Sequence, residues 1–260
     1  MKTYRTILSA LLITLTSLIS LPQTLAETPQ KKNKVVLFIG DSITDGGWGR
    51  SAGYPKSSAE RNKKDLNHLL GHSYVLFCSG RVLADNPEAD MTWLNRGISG
   101  NTVGDLENRW EEDVIALQPD LLSVLVGIND VLTHDKKYPG EPFDIKDWKK
   151  RYRVLLDRAR QANPDLTLVL ISPFVGPQPK VSSEETSARQ AVVDGCAAAV
   201  KELAGETDAI YIDGNGLFHS LTDNNPQSAR WLWDGVHPTP AGHQRLADLW
   251  LEKVDITSRL

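Results

Sequence analysis

The chain has 260 residues, 40% of them hydrophobic, which is enough for a sizeable core in one large domain or two small ones. Its formal net charge of −4 at pH 7 argues against nucleic acid or an anionic membrane surface as the main partner. No Ser-, Pro- or Gly-rich linker marks a boundary, so we expect residues 27–260 to form a single domain.

The first 26 residues have the composition of a secretory signal peptide. Lys2 and Arg5 form a basic start, residues 7–19 are largely apolar, and Ala26 is the small residue that a signal peptidase requires. The apolar stretch is shorter than the roughly 20 residues that span a bilayer, and no cysteine follows it for lipidation. We therefore expect residues 1–26 to be removed and the protein to be exported, periplasmic or secreted, without stable membrane insertion.

Five short apolar segments rich in β-branched residues recur along the rest of the chain. This composition predicts buried strands, at residues 35–39, 91–95, 121–126, 166–171 and 209–213. The segments between them are long enough for helices. The resulting alternation of strand and helix predicts a parallel sheet with helices on both faces.

Helical patterns and boundaries appear in the intervening segments. A helix is predicted near residues 72–86, after a long loop, and Leu106, Trp110 and Val114 recur at helical spacing farther along. For the last helix, Thr239 followed by a proline is the start signal, because a threonine caps the helix and proline suits its first position.

The two cysteines, Cys78 and Cys196, fall in segments predicted to be helical, in different crossovers of the sheet. An oxidising compartment would permit a disulfide, but the bond needs Cα atoms within about 7 Å. Neither cysteine has CxxC or metal-ligand spacing. We expect two buried free thiols.

Polar groups follow the predicted strands at the edge where parallel α/β sheets bind ligands. Ser42 follows the first strand, Gly97 the second and Asn129 the third, and a long loop beyond the fifth carries Asp234 and His237. Taken singly, each has an ordinary explanation: a serine caps a helix, a glycine makes a turn, and a histidine lies on the surface. Together they form a chemically complementary set at one edge of the sheet.

Acyl transfer requires such a set. A serine hydroxyl such as that of Ser42 needs a base, and His237 has the appropriate imidazole. Asp234, three residues before the histidine, can hold that ring in one tautomer. The oxyanion needs preorganised donors, and we predict the backbone N–H groups of Ser42 and Gly97 and the side-chain amide of Asn129.

These residues carry a resemblance to a known family. The segments "GDSI" at 40–43, "GIND" at 127–130 and "DGVH" at 234–237, together with Gly97, fall in the order and approximate spacing of the blocks of the SGNH, or GDSL-type, hydrolases. The only departure is Ile43, where the family name has leucine. The resemblance implies a flavodoxin-like three-layer α/β/α sandwich with a five-stranded parallel sheet. It also implies the triad and oxyanion roles given above, with no cofactor and no metal ion.

Other polar residues near these blocks are expected to have structural roles. We predict that Asp41, Thr44, Asp45 and Asp130 hold turns by hydrogen bonds. His243 lies six residues after the predicted base, but no third metal ligand is apparent, so a surface position on the last helix is expected.

The blocks are most similar to bacterial carbohydrate acetylesterases and platelet-activating-factor acetylhydrolase-like proteins. Several such proteins remove O-acetyl groups from plant cell-wall polysaccharides. We therefore expect a serine esterase whose substrate is a small acyl ester or an acetylated saccharide. Trp48, Trp231 and Trp233 lie near the motif loops, where they could line an acyl pocket or stack on a sugar, or equally anchor the core.

Two other functions stay open at this point. A lipase or lysophospholipase would use the same chemistry on lipid esters, although no apolar lid is evident in the sequence. A protein of another class would be non-catalytic, either a flavodoxin-like protein that cradles a phosphate or a relative that only binds polysaccharide. An inactive relative should lack part of the triad, and none is missing here.

Overall fold

The computed structural model describes residues 33–47, 50–51, 54–55, 70–179, 181–223, 225 and 227–256. These residues belong to one compact unit, Lys32–Leu260. The predicted signal peptide and Trp48 lie outside the described residues.

A five-stranded parallel sheet forms the centre of this unit. Its strands are β1 (Lys34–Gly40), β2 (Met91–Gly97), β3 (Leu121–Leu125), β4 (Thr167–Ile171) and β5 (Ile210–Ile212). Their spatial order is β2-β1-β3-β4-β5, and each neighbouring pair is parallel. This is the flavodoxin-like order, with a topological switch point between β1 and β3. All five predicted strands are confirmed.

Helices cover the sheet, as the alternating pattern predicts. The described helices are α1 (Ser42–Asp45), α2 (Tyr74–Asp85), α3 (Val103–Asp113), α4 (Ile128–Lys137), α5 (Ile145–Ala162), α6 (Ser183–Glu206), α7 (Gly214–Thr222) and α8 (Pro240–Lys253). Short 3-10 turns span Ile115–Leu117 and Ser228–Arg230, and a small antiparallel hairpin pairs Arg50–Ser51 with Tyr54–Pro55. In the part of the chain described, no helix combines the length and apolar character needed to cross a membrane.

The central strands are buried on both faces. Every residue of β3 is buried, as expected for a parallel strand between two helical layers. Phe38 of β1 stacks with Trp93 of β2 at 5.8 Å between ring centroids, and it contacts Trp250 of α8 at 5.3 Å with the ring planes tilted by 39°. Helices α2 and α8 pack on each other, and α5 packs between α3 and α6. A rigid sheet therefore supports the loops at its carboxyl edge.

Local sequence signals and cysteine states agree with the structure. The Thr239 hydroxyl accepts the N–H of Gly242 and Pro240 takes the first position of α8, as predicted. Cys78 lies in α2 and Cys196 in α6, and both are buried free thiols, which confirms that prediction.

Candidate active site

Ser42 is the first residue of α1, immediately after β1. The chain turns sharply here because Gly40 lies against β3, where a Cβ would come within 2.1 Å of the Leu125 carbonyl oxygen. The Asp41 carboxylate caps α1 by accepting the N–H of Ile43 at 2.9 Å. The strand end, the cap and the single helical turn together present the half-buried Ser42 hydroxyl at the carboxyl edge of the sheet.

A continuous hydrogen-bonded chain joins Ser42, His237 and Asp234. The Ser42 Oγ lies 2.8 Å from His237 Nε2, and His237 Nδ1 lies 2.7 Å from Asp234 Oδ2. The second carboxylate oxygen of Asp234 accepts the backbone N–H groups of His237 at 2.8 Å and Val236 at 2.9 Å. Partial burial raises the pKa of Asp234, but these hydrogen bonds outweigh it and hold the pKa below its usual value. The aspartate is therefore ionised at neutral pH.

The loop that carries this pair depends on Gly235. Its φ of +86° is in the left-handed region, and a Cβ there would lie 2.7 Å from the Pro177 carbonyl oxygen. The Gly235 carbonyl accepts the N–H of Gly176 at 2.7 Å, so the loop rests on the segment that follows β4. Only glycine fits both the conformation and the space, which keeps Asp234 and His237 in fixed relation.

Asn129 stands in the first turn of α4, after β3. Its side-chain amide donates to the Asn101 carbonyl at 3.2 Å, which leaves a second amide hydrogen for another acceptor. The backbone N–H of Ser42 makes no hydrogen bond to the described residues. Because β1 and β3 are neighbours in the sheet, the serine and the asparagine lie at the same switch point, as predicted.

Gly97 does not fit the oxyanion role predicted for it. Its N–H donates to the Asn95 side-chain oxygen at 2.8 Å, and the residue is buried. A Cβ at this position would lie 2.2 Å from the backbone nitrogen of Asp45 in α1. Gly97 is thus needed for the close approach of α1 to the end of β2, and this geometry corrects the prediction.

Gly100, three residues later in the same segment, fits the role of an oxyanion donor better than Gly97 does. It is exposed, its φ is +86°, and its N–H makes no hydrogen bond to the described part of the chain. The next residue, Asn101, accepts the amide of Asn129, so Gly100 lies beside the predicted oxyanion donor. The segment "GISG" contained the signal for this residue, because either of its two glycines could be predicted to donate a backbone N–H to the oxyanion.

Two buried side chains, Asn95 and Asp45, hold α1 in place, and of these the sequence analysis missed only Asn95. The Asn95 amide donates to the carbonyls of Thr44 at 2.7 Å and Leu70 at 2.9 Å. The Asp45 carboxylate accepts both the N–H and the hydroxyl of Ser99, at 3.0 and 2.7 Å. A polar residue inside the apolar run "MTWLN" was the available signal for Asn95. The scaffold role predicted for Asp45 agrees with its contacts.

Two carboxyl groups, those of the buried Asp41 and the half-buried Asp130, are adjacent in the chain to Ser42 and Asn129. Burial raises the pKa of Asp41 to about 7, and the charge of Asp130 adds to the shift. Burial likewise raises the pKa of Asp130 to about 7, although a hydrogen bond from the Val103 N–H at 3.0 Å opposes it. The bonds from Ile43 to Asp41 and from Val103 to Asp130 agree with the scaffold roles predicted for these residues. Thr44 has a similar role, with its hydroxyl 3.2 Å from the Tyr74 hydroxyl.

Of the three predicted tryptophans, the structure describes Trp231 and Trp233, and these two differ in exposure and in their contacts. Trp233 is 59% exposed and stacks on the His237 ring, with 5.7 Å between centroids and 21° between planes. Trp231 is half-buried, and its carbonyl accepts the N–H of Thr239. Trp233 therefore presents an aromatic face beside the imidazole, whereas the contacts of Trp231 anchor the loop.

His243 is buried, which contradicts the expected surface position. It lies in the first turn of α8, and its Nδ1 accepts the N–H of Tyr74 at 3.2 Å. Burial, together with the nearby His237, lowers its pKa to about 4, so the ring stays neutral at physiological pH. Among the described residues, no group of three or more His, Cys, Asp or Glu side chains could hold a metal ion.

This sheet order, combined with a serine, a histidine and an aspartate in one hydrogen-bonded chain, is that of an SGNH-type esterase. Comparison with known proteins gives the same class. Residues 38–245 match the GDSL-like lipase/acylhydrolase family. The chain belongs to this family and is a carboxylic ester hydrolase.

Several relatives match nearly the whole chain. An acetylxylan esterase of Geobacillus stearothermophilus is 34% identical over 228 residues, which cover 84% of this chain and 93% of the relative. The crystal structure of Axe2, an acetylxylan esterase from the same organism, superimposes with a TM-score of 0.71 at 32% identity, covering 87% and 97% of the two chains. A protein of Parabacteroides merdae described as a GDSL-like lipase gives a TM-score of 0.73 at 32% identity, covering 86% and 96%.

Proposed function

We propose that the protein removes acetyl groups from saccharides through an acyl-enzyme formed on Ser42. The observation that carries the proposal is the unbroken chain from the Ser42 hydroxyl through His237 to Asp234. An imidazole held in this way can take the hydroxyl proton as the oxygen attacks, and the ionised aspartate stabilises the imidazolium that forms.

The reaction would proceed in two balanced halves. In the first, Ser42 Oγ bonds to the ester carbonyl carbon and His237 takes its proton. The tetrahedral intermediate then collapses, the sugar oxygen leaves, and His237 Nε2 returns the proton to it. In the second half a water molecule gives a proton to His237 while its oxygen bonds to the acyl carbon. The bond from that carbon to Ser42 Oγ then breaks, His237 returns the proton to Oγ, and acetate is released.

The oxyanion of each intermediate needs donors that point at it before the reaction begins. We assign this role to the backbone N–H groups of Ser42 and Gly100 and to the side-chain amide of Asn129. The support is that neither N–H has a partner within the described residues, and that the Asn129 amide donates to the residue that follows Gly100. Because burial raises the pKa of Asp41 to about 7, this carboxyl is partly protonated at neutral pH, which reduces the negative charge next to Ser42 in the chain.

The preference for an acetylated saccharide is supported by two observations. Two proteins to which this chain is similar over more than nine-tenths of their length are acetylxylan esterases. In addition, the exposed Trp233 indole stacks on the His237 ring, and an aromatic face suits the C–H face of a sugar ring. We also propose that residues 1–26 act as a signal peptide, so that the enzyme meets its polymer outside the cytoplasm.

Ser42→Ala tests the nucleophile. The variant should fold normally and lose roughly 10³-fold or more in kcat on 4-nitrophenyl acetate. Ser220→Ala, which removes an exposed hydroxyl on α7, is the matched control and should keep the wild-type rate. An unchanged rate in Ser42→Ala would exclude the acyl-enzyme.

A substrate panel tests the choice between saccharide and lipid esters. Acetate release from acetylated xylan, acetylated pectin and short acetylated oligosaccharides is compared with fatty-acid release from a lysophospholipid. We expect acetate from the saccharides and negligible fatty acid. The reverse result would favour a lysophospholipase.

A further inference from the structure

A cavity of about 440 Å³ lies at the carboxyl edge of the sheet, apart from the triad. Three helix starts border it: Thr102 caps α3, Asp130 lies in the first turn of α4, and Asp144 caps α5. These starts share an edge because α3 and α4 follow β2 and β3, and α5 must run back to the beginning of β4. The volume falls within the roughly 300–1,000 Å³ of ligand sites.

Two residues that line the cavity are adjacent in the chain to residues at the proposed oxyanion site. Asp130 lines the cavity and directly follows Asn129 in α4. Thr102 also lines it and directly follows Asn101, whose carbonyl accepts the Asn129 amide at 3.2 Å. When the acetyl group of a polymeric substrate reaches Ser42, other units of the polymer can therefore lie along the edge of the sheet that contains this cavity.

Aromatic side chains form one side of the cavity. Tyr138 is 43% exposed, an unusual position for a large hydrophobic residue. Its ring lies 5.5 Å from the ring of His134, which in turn meets Phe143 edge-on at 5.4 Å. Lys137 Nζ lies over the Tyr138 ring, 5.3 Å from its centroid, and the exposed remainder of the ring is the kind of aromatic surface on which a sugar ring can lie.

The polar lining points to a neutral, hydroxyl-rich ligand. The charged residues that line the cavity include both signs, so neither sign dominates. The basic ones are Lys137 and Arg151, and the acidic ones are Asp130, Asp144 and Asp147. A long acyl chain would have to desolvate these groups without replacing their hydrogen bonds, which is costly. Hydroxyl groups both donate and accept, so a saccharide can satisfy cations and carboxylates together.

We propose that this cavity is an accessory saccharide subsite, which binds sugar units of the polymer beyond the esterified one. The inference rests on the proposed function, because it assumes that the ester is carried by a saccharide chain. It extends that function by assigning a role to Tyr138 and the start of α5, neither of which contributes to the triad.

Tyr138→Ala tests the subsite kinetically, with acetylated xylo-oligosaccharides of two to six units and 4-nitrophenyl acetate as substrates. In the wild type, kcat/KM should rise with chain length. Tyr138→Ala should lower kcat/KM on the longest oligosaccharides by about three- to tenfold, through KM, and leave 4-nitrophenyl acetate unaffected. Tyr138→Phe should restore the wild-type values because it keeps the ring. Val154→Ala, on an exposed part of α5 outside the cavity lining, is the control and should have no effect.

Direct binding supplies a readout that does not depend on turnover. In the Ser42→Ala background, calorimetry with unacetylated xylohexaose should give a Kd about three- to tenfold higher when Tyr138→Ala is added. Acetate release that is independent of chain length, or a Tyr138→Ala variant that behaves like wild type in both experiments, would overturn the subsite while leaving the proposed function intact. A wild-type enzyme that releases no acetate from any saccharide would instead refute the proposed function.

Discussion

The Asp234 carboxylate holds His237 at two points: Oδ2 lies 2.7 Å from the ring Nδ1, and Oδ1 accepts the backbone N–H of the same histidine at 2.8 Å. One side chain therefore sets both the tautomer of the ring and the path of the backbone that carries it. The ring that results meets the Ser42 hydroxyl at 2.8 Å.

Asp234→Asn should separate these two functions. The amide oxygen can still accept one backbone N–H, but the amide cannot stabilise an imidazolium and favours the wrong tautomer. We expect kcat on 4-nitrophenyl acetate to fall by on the order of 10³-fold or more, with a small change in stability. The matched control is Asp223→Asn, since Asp223 also bonds a histidine, His219, at 2.8 Å outside the site. Comparable losses in both variants would argue against a catalytic role for Asp234.

Asn129→Ala should affect the transition state more than substrate binding. Removal of one preorganised donor to an oxyanion costs about 10²- to 10³-fold in kcat, so KM should change little. Steady-state kinetics on 4-nitrophenyl acetate measures the changes in kcat and in KM separately. Asn225→Ala is a suitable control because its amide donates to a backbone carbonyl elsewhere, that of Leu221. A rise in KM at constant kcat would show that Asn129 only binds the ground state.

Asn95→Ala should lower stability, because this side chain bridges β2, α1 and the segment at Leu70. The substitution removes the amide donor to the buried Leu70 carbonyl and the acceptor of the Gly97 N–H. It also removes one of two donors to the Thr44 carbonyl, which keeps the Ser73 hydroxyl at 2.7 Å. We expect the free energy of unfolding in urea to fall by about 3 kcal/mol. Asn86→Ala removes a similar amide bond, to the carbonyl of Val82 at the less buried end of α2, and should cost about 1 kcal/mol or less. Equal losses in the two variants would contradict the bridging role.

Because the pKa of the Asp41 carboxyl group is raised in the folded protein, we expect the free energy of unfolding to depend on pH. Its folded-state pKa of about 7 lies above the value near 3.9 of an unfolded chain, so the folded state binds more protons between these limits. The stabilising contribution is complete below about pH 4 and is lost as the pH rises through about 7.

Asp41→Asn imitates the protonated acid, so it should make the free energy of unfolding depend less steeply on pH. Urea unfolding at about pH 4 and about pH 8 measures it in both proteins. Asp130, whose pKa is also raised to about 7, should keep part of the slope in the variant. An undiminished slope in Asp41→Asn would show that Asp41 ionises freely in the folded protein.

Local pattern accounts for much of what could be predicted. Apolar runs placed all five strands of the sheet, and the Thr239-Pro240 signal placed the start of α8, because strand burial and helix capping depend on residues close together in the chain. The order of the motif segments along the chain also predicted that Ser42, Asn129, Asp234 and His237 lie at one edge of the sheet, since parallel strands bring their carboxyl ends to one edge.

Only the tertiary structure decided between chemically equivalent neighbours. Gly97 and Gly100 are the same residue type in one short segment, and they differ in whether α1 lies against them or an open turn leaves the N–H free. His243 is buried rather than exposed because α2 packs across α8 and places the Tyr74 N–H against the ring.

The sequence by itself therefore determined the sheet, the family and the principal chemical groups, because these follow from periodicity and from spacing along the chain. The buried carboxyls, the Asn95 bridge and the cavity beside α4 depend on which helices meet across the sheet. Those contacts join residues far apart in the chain, through distances and burial that no local pattern records.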